Sequence, residues 1–415
     1  MKQDAIVIGG GLVGITISVS LAKRGVKVLL LDSGEAGKGA SWGNAGHLAT
    51  EQVYPVADIK ILRKLPAMLM DPLGALRVDW RYLPEFTRWG WSVLKNMTPK
   101  STERIHRALM SINSLCMESW ERFCKTWSLQ QWVRFEGSLL CAEKQDTAAQ
   151  LHQKGALLNA LGIENHEYDS EALREFEPAL SGKVRRAIFF PKTGHVTNID
   201  AVISTLLRSL VGMNSNIIEN CRVTDVLPLG DEGYLVKTLR GSYCTKKIIL
   251  SAGAFSRPLA KQMTGIDVPL DTERGYHLCL PHEKYRISIP VSSMDRHFIM
   301  TPMESGLRLA GTVEYAGLVQ PPNMERARNL LPLAQPMFAH PLNSCDASEW
   351  MGFRPTTCDS LPVIDRIDNM LFAFGHQHLG ITQATVTAEA IEKLFFDEVV
   401  PINIKQFSIN RSSKK

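Results

Sequence analysis

Four glycines near the start of the chain, Gly9, Gly10, Gly11 and Gly14, and an aspartate, Asp32, are spaced to hold a pyrophosphate and the sugar beside it. Gly9 permits a sharp turn, Gly11 lets backbone approach a phosphate, and Gly14 lets the next helix pack closely on its strand. The first helical turn, with Leu12 and Val13, offers unpaired N–H groups and a partial positive charge. Asp32, followed by Ser33, can accept hydrogen bonds from ribose hydroxyls. The elements that must position these residues are all legible: a strand over 5–8, a mostly apolar helix to about residue 23, and a second strand over 26–31 that ends on Asp32. The pattern predicts a bound adenine dinucleotide.

A second residue with chemistry of its own lies far down the chain. Arg354 stands between Gly352-Phe353 and Pro355. A buried arginine needs an anion, because its desolvation is otherwise too unfavourable. Its planar fork matches a carboxylate in two places at once, which a lysine does less well. The anion is either a substrate carboxylate or a structural partner such as Asp359.

Composition narrows the class. The 415 residues can hold two or three domains, and 45% hydrophobic with 21% charged residues is ordinary for a soluble globular protein. The net charge of +5 is modest, its basic residues are scattered apart from a short tail over 410–415, and nothing points to nucleic acid. Eight cysteines form no C-x-x-C pair and no metal-type cluster, so they read as reduced thiols with no metal site. No segment has the length and freedom from charge of a membrane span. The apolar N-terminus is interrupted by glycines and runs on into a strand ending at Asp32, which makes it nucleotide fold and not leader. A cytoplasmic protein is expected.

Only one glycine fingerprint is present, so a single dinucleotide has to carry any redox chemistry. After His47 the chain leaves for a Trp- and Leu-rich helical stretch over 54–127, where a nicotinamide dehydrogenase would continue with further strand–helix units. An interrupted nucleotide domain fits FAD. Its resumption reads as a helix over 198–211 capped by Thr197 or Asn198, a strand over 217–226, a hairpin over 234–245, and a buried strand ending in the small residues Ala252 and Gly253. Antiparallel sheet follows over 269–314, and the chain returns through a strand at 371–375 to a last helix over 382–396. The expected fold class is α/β. A Rossmann-like FAD-binding domain (1–53, 187–268 and 345–405) interleaves with an α+β substrate domain (54–186 and 269–344) built on an antiparallel sheet. Residues 406–415 are expected to form a disordered tail.

Several motifs in fixed order carry a resemblance: residues 39–47 (GASWGNAGH), 273–277 (ERGYH), 306–314 (GLRLAGTVE), 352–355 (GFRP) with 359–362 (DSLP), and 375–380 (GHQHLG). From Ile6 to about Phe395 the chain resembles the FAD-dependent D-amino-acid oxidase superfamily. Within it, the bacterial D-amino-acid dehydrogenase branch is most similar, which includes enzymes acting on D-proline and cis-4-hydroxy-D-proline. The resemblance is thinnest between residues 54 and 187. It implies that Ala40, Ser41, Gly43, Asn44, Ala45 and Gly46 form a loop beside the flavin, with His47 reaching the substrate side. A solvated loop histidine is the alternative for His47. Arg354, beside Gly352, would hold the substrate carboxylate, and Tyr276 would add a second hydrogen bond. In the competing arrangement Tyr276 shares a core-facing side of its strand with Arg274. Val223 would meet adenine through its backbone. His378, Leu379, Gly380, Ile381 and Thr382 would bring a helix N-terminus to the pyrimidine end of the flavin, where negative charge develops on reduction.

There are departures from the family pattern. Asp365 follows Ile364 where glycine is usual, and Cys358 replaces a common proline. No cysteine stands where sarcosine-oxidase relatives attach flavin, so FAD is expected to be non-covalent. The implied reaction is dehydrogenation of a D-amino or imino acid by hydride transfer from Cα to flavin N5, with Arg354, Tyr276 and His47 as candidate catalytic residues and electrons passing to a quinone or another acceptor. Two alternatives are a glycine- or sarcosine-type amine oxidase using O₂ and a non-catalytic flavoprotein subunit. Residues 60–95 mix Arg63, Lys64, Arg77, Arg81 and Arg88 with Trp80, Tyr82, Trp89 and Trp91, which suits peripheral contact with the inner face of a membrane as well as packing on the protein's own core.

Overall fold

The computed structural model describes residues 2–55 and 73–412. Its first sheet is parallel at the centre. The strand Lys2–Ile8 lies between Val28–Leu31 and the second half of Gly241–Leu250, with Asn216–Ile218 beyond the former and Met370–Phe374 beyond the latter. Both faces are covered, so these strands are apolar almost throughout. Val7, Leu30, Ile249 and Leu371 face one core, while Ile6, Leu29, Ile248 and Phe372 face the other. The fingerprint helix Leu12–Lys23 packs against the last long helix, Gly380–Phe395, and Thr16 Oγ1 donates to Ala384 O at 3.3 Å. Behind it, in the helix Cys116–Trp127, Trp120 Nε1 donates to the carbonyls of Ile381 and Thr382, both at 3.1 Å.

The second sheet runs in the order Ser348–Thr357, Leu270–Leu280, Gly306–Tyr315, Phe298–Met303, Val291–Ser293, Ser138–Ala142, Arg186–Phe190, His166–Asp169. It is antiparallel except where Val291–Ser293 meets Ser138–Ala142 and where the short strand Leu76–Val78 joins Gly306–Tyr315. A small third sheet ties His47–Leu48 to Gly194–Val196 and Val133–Arg134. The α/β class and the interleaving of two domains are as the sequence predicts.

Several boundaries shift. Ser348–Thr357 pairs along its whole length with Leu270–Leu280, and Arg186–Phe190 pairs with Ser138–Ala142, so both belong to the second sheet, although the expected FAD-binding segments begin at 345 and 187. The strand expected over 217–226 is two strands. Asn220 adopts φ +51°, its N–H donates to Gly34 O and the Cys221 N–H to Asp32 O, and the chain turns beneath the Asp32 loop before Val223–Pro228 enters a hairpin. The stretch 54–127 does yield helices, at Leu83–Asn96, Pro99–Asn113 and Cys116–Trp127, while residues 56–72 lie outside the described residues. The expected disordered tail is corrected over 406–412: Phe407 and Ile409 are buried, and Arg411 grips the buried Asp359 through Nε (2.8 Å) and Nη2 (2.9 Å). Asp359 is therefore the partner of Arg411 and not of Arg354.

Candidate active site

A cavity of about 960 Å³ runs from the glycine turn, between the two sheets, to the start of the helix Gly380–Phe395. At its nucleotide end Gly9 has φ +107°, and a Cβ there would stand 2.4 Å from Ser251 O. A Cβ on Gly14 would stand 1.9 Å from Gly9 O, so this helix can sit on its strand only without one. Gly11 differs. A Cβ there would have only Ser41 Oγ near it, at 3.4 Å, and otherwise open cavity. Asp32 accepts from Gly10 N (2.6 Å) and Gly34 N (2.8 Å), which fixes the carboxylate while each oxygen keeps a lone pair for a further donor. Ser33, Val223, Ala252 and Gly253 complete this end.

Beyond it, Ala40, Ser41, Gly43, Asn44, Ala45 and His47 form one wall. Trp350 explains two glycines at once: a Cβ on Gly43 would lie 2.2 Å from its indole, and one on Gly352 would lie 2.0 Å from it. The indole stacks on His277 (centroids 5.1 Å apart, 18° between planes), and His277 Nδ1 donates to Gly43 O at 2.9 Å.

Arg354 is brought to the same cavity by cross-strand register. It lies opposite Glu273, and the next position along that face is Gly275, where a Cβ would be 2.4 Å from Arg354 Cζ. Only the missing side chain makes room for the guanidinium. Thr312, a bulge residue with φ +55°, turns its carbonyl to Arg354 Nη1 at 3.4 Å. Glu273 accepts from Tyr315 Oη at 2.7 Å; burial pushes its carboxyl up, while Arg354 and Tyr315 pull it down. Among the described residues Arg354 makes no carboxylate ion pair, and most of its donors remain available on the cavity wall.

Two histidines share the cavity with this arginine. Burial lowers the pKa of His47 to about 4, and its Nε2 is buried without a partner. His378, hydrogen-bonded to Gln52 Oε1, is also lowered to about 4, by burial first and then by the charge of Arg354. Both are neutral at physiological pH, so the charge nearest them on the cavity wall is Arg354, with Glu273 opposite it on the neighbouring strand.

The candidates do not all meet. Gly380 and Ile381 open the final helix on the cavity wall, whereas Leu379 and Thr382 stand one layer back, with Thr382 Oγ1 accepting from Ala49 N at 3.0 Å. Gly14 and Gly46 are likewise behind the wall, and the Leu12 N–H is taken by Ser41 Oγ at 2.9 Å. The expectation for Tyr276 is corrected. It borders the cavity, but its hydroxyl donates to Glu314 Oε2 at 2.6 Å and accepts from Asn323 N at 3.2 Å, on the face it shares with the fully buried Arg274. No donor is left for a carboxylate. Sequence reasoning missed Trp350, Glu273 and Gln52. Trp350 had a usable signal, since it precedes Gly352 and Arg354 at the period of two that keeps them on one strand face.

This cavity fits an extended dinucleotide: Gly11 open to it within the nucleotide turn, two helix N-termini, and an orphaned buried nitrogen on His47. Residues 4–394 match the family described as DAO, FAD dependent oxidoreductase, and the chain belongs to that family. A D-amino-acid oxidase of Bradyrhizobium diazoefficiens is 27% identical over 426 residues, covering 99% of both chains. A D-amino acid dehydrogenase of Neisseria meningitidis serogroup C is 25% identical over 438 residues, again covering 99% of both. Among solved structures, glycine oxidase from Geobacillus kaustophilus superposes with TM-score 0.76 at 17% identity over 99% of both chains. L-proline dehydrogenase from P. horikoshii gives 0.72 at 17% identity over 100% of this chain and 98% of that one. At such identities these structures speak to the fold. The cofactor is FAD, as the family description states.

Proposed function

We propose that the protein dehydrogenates a D-amino or imino acid, with D-proline and cis-4-hydroxy-D-proline as candidate substrates, and passes the electrons to a quinone or another acceptor. The observation that carries this reading is Arg354, a guanidinium with free donors on a cavity wall that offers it no ion pair among the described residues. A carboxylate accepted there would have its position fixed, and with it the choice of which enantiomer turns its α-hydrogen toward the cofactor. FAD, when bound, supplies the two-electron acceptor. The positive charge of Arg354 also disfavours a second cation nearby, so the substrate amine loses its proton more readily in this cavity than in water. His47 and His378, both neutral, can accept a hydrogen bond from that amine. The names of the D-amino-acid relatives support the substrate class.

Peripheral contact with a membrane belongs to the same reading. Trp80 is 72% and Trp91 66% exposed, with Leu83 and Leu94 exposed beside them and Arg81, Arg88 and Lys95 around them, whereas Trp89 is buried against Phe86 and Tyr315. Arg63 and Lys64 fall outside the described residues. No helix among the described residues is long and apolar enough to cross a membrane.

The test is an anaerobic screen for bleaching of the bound flavin by both enantiomers of the amino acids, proline and 4-hydroxyproline included. Bleaching by D-enantiomers supports the proposal. Bleaching by glycine or sarcosine with stoichiometric peroxide in air would favour an amine oxidase, and no bleaching by any of them would favour a non-catalytic subunit.

A further inference from the structure

Arg308, on the strand Gly306–Tyr315, points to the same sheet face as its cross-strand partner Cys279 and is only 6% exposed. Its Nη1 donates to Trp42 O at 3.2 Å and Asn44 O at 2.7 Å, and its Nε has no partner. Among the described residues no carboxylate pairs with it. The carbonyl between those two, Gly43 O, is held by His277. Three successive carbonyls are thus drawn to the sheet. Every peptide bond among the described residues is trans, so the N–H groups of residues 43, 44 and 45 point the opposite way. Asn44 N closes a turn on Ser41 O at 3.3 Å, while Gly43 and Ala45, both on the cavity wall, donate to nothing among the described residues.

A buried guanidinium that meets two carbonyls and, at 6.0 Å, the Trp42 ring, but no carboxylate, keeps a charge that an anion would complete. The chain supplies none here, and the loop it holds lines the cavity that fits FAD, a cofactor that becomes more negative on reduction. We propose that Arg308 is a positioning residue for FAD: it holds the loop so that free N–H groups face the cavity, and its unpaired charge favours the reduced cofactor. The proposal rests on FAD binding and is independent of which substrate is oxidised.

The experiment compares the full-length protein with Arg308→Met and Arg308→Lys. It reads FAD affinity by fluorescence titration of deflavinated protein, and the two-electron midpoint potential by dye equilibration without any amino acid. Arg308→Met is expected to weaken FAD binding at least tenfold and to lower the preference for reduced over oxidised FAD about tenfold, which is ~30 mV for two electrons. Arg308→Lys keeps the charge, but its shorter side chain stops short of the two carbonyls that Nη1 reaches, so its potential should stay near the parent's while FAD affinity falls. A Met variant with the parent's potential and affinity overturns the proposal. If Arg308→Met does not fold, the Lys variant decides alone: a potential ~30 mV or more below the parent's, or an affinity equal to the parent's, overturns it.

Discussion

Gly275 and Arg354 occupy one space: the guanidinium of Arg354 lies where the Cβ of any other residue at position 275 would be, 2.4 Å from Cζ. Gly275→Ala therefore has to displace the arginine without removing it. The expected result is a KM for carboxylate substrates raised about tenfold with FAD still bound. Arg354→Ala, which removes charge-assisted hydrogen bonds of about 1.5–3 kcal/mol, should raise KM about 10- to 100-fold. Steady-state kinetics on both variants check this. Unchanged KM in the pair would remove Arg354 from substrate binding.

Two glycines of the fingerprint should fail in different ways. A methyl on Gly14 collides with Gly9 O inside the protein, so Gly14→Ala should destabilise the FAD-free fold by about 3 kcal/mol or prevent folding. Gly11 has φ −71° and faces open cavity. Gly11→Ala should leave FAD-free stability within about 0.5 kcal/mol of the parent and weaken FAD binding at least tenfold. Urea unfolding of the deflavinated proteins, paired with FAD titration, separates the two.

Acid stability follows from the buried histidines. Burial lowers His47 and His378 to about 4, and His195, His277 and His376 to about 3. The unfolded chain binds these protons below about pH 6.5 and the folded chain does not, so stability is lost as pH falls from 6.5 toward 4. Each histidine contributes a slope of about 1.4 kcal/mol per pH unit in that window. His376, whose Nε2 meets Thr387 Oγ1 at 3.0 Å, can be tested alone. His376→Asn should flatten the dependence of unfolding free energy on pH by one proton, whatever it does to stability at pH 8. A slope unchanged from the parent contradicts the assignment.

The exposed tryptophans make a separate prediction. Trp80→Glu with Trp91→Glu should abolish co-sedimentation of the protein with vesicles of anionic lipid, and leave FAD binding and flavin bleaching by substrate unchanged. A parent protein that stays in the supernatant at low salt has no such contact.

What could be read from residue order alone was local. The turn from Gly9 to Asp32 is one continuous unit whose every part has a short-range reason, and Asn198 caps its helix by accepting from Ala201 N at 2.9 Å, as its type and place suggest. Arg354 was legible because few surroundings besides an anion suit a guanidinium set among small residues. The partners of Arg354 were not. Glu273 and Gly275 reach it through a ten-residue strand pairing, and a slip of one position would have set a different pair of residues against the guanidinium. Arg411 was misjudged for a related reason: a basic tail reads as solvated until a buried Asp359, distant in sequence, claims it.

The central sheet also sets an order of events during synthesis. Lys2–Ile8 leaves the ribosome early, but its parallel neighbour in Gly241–Leu250 arrives only after the entire first insertion has been made. Met370–Phe374 and the helix whose first residues line the cavity come later still. A nascent chain halted near residue 340 would carry the glycine turn, Asp32 and the 40–47 loop and yet lack Trp350, Arg354 and the helix start that complete the cavity. The cavity is complete only once residues 350–381 have been made, after nearly all of the second sheet.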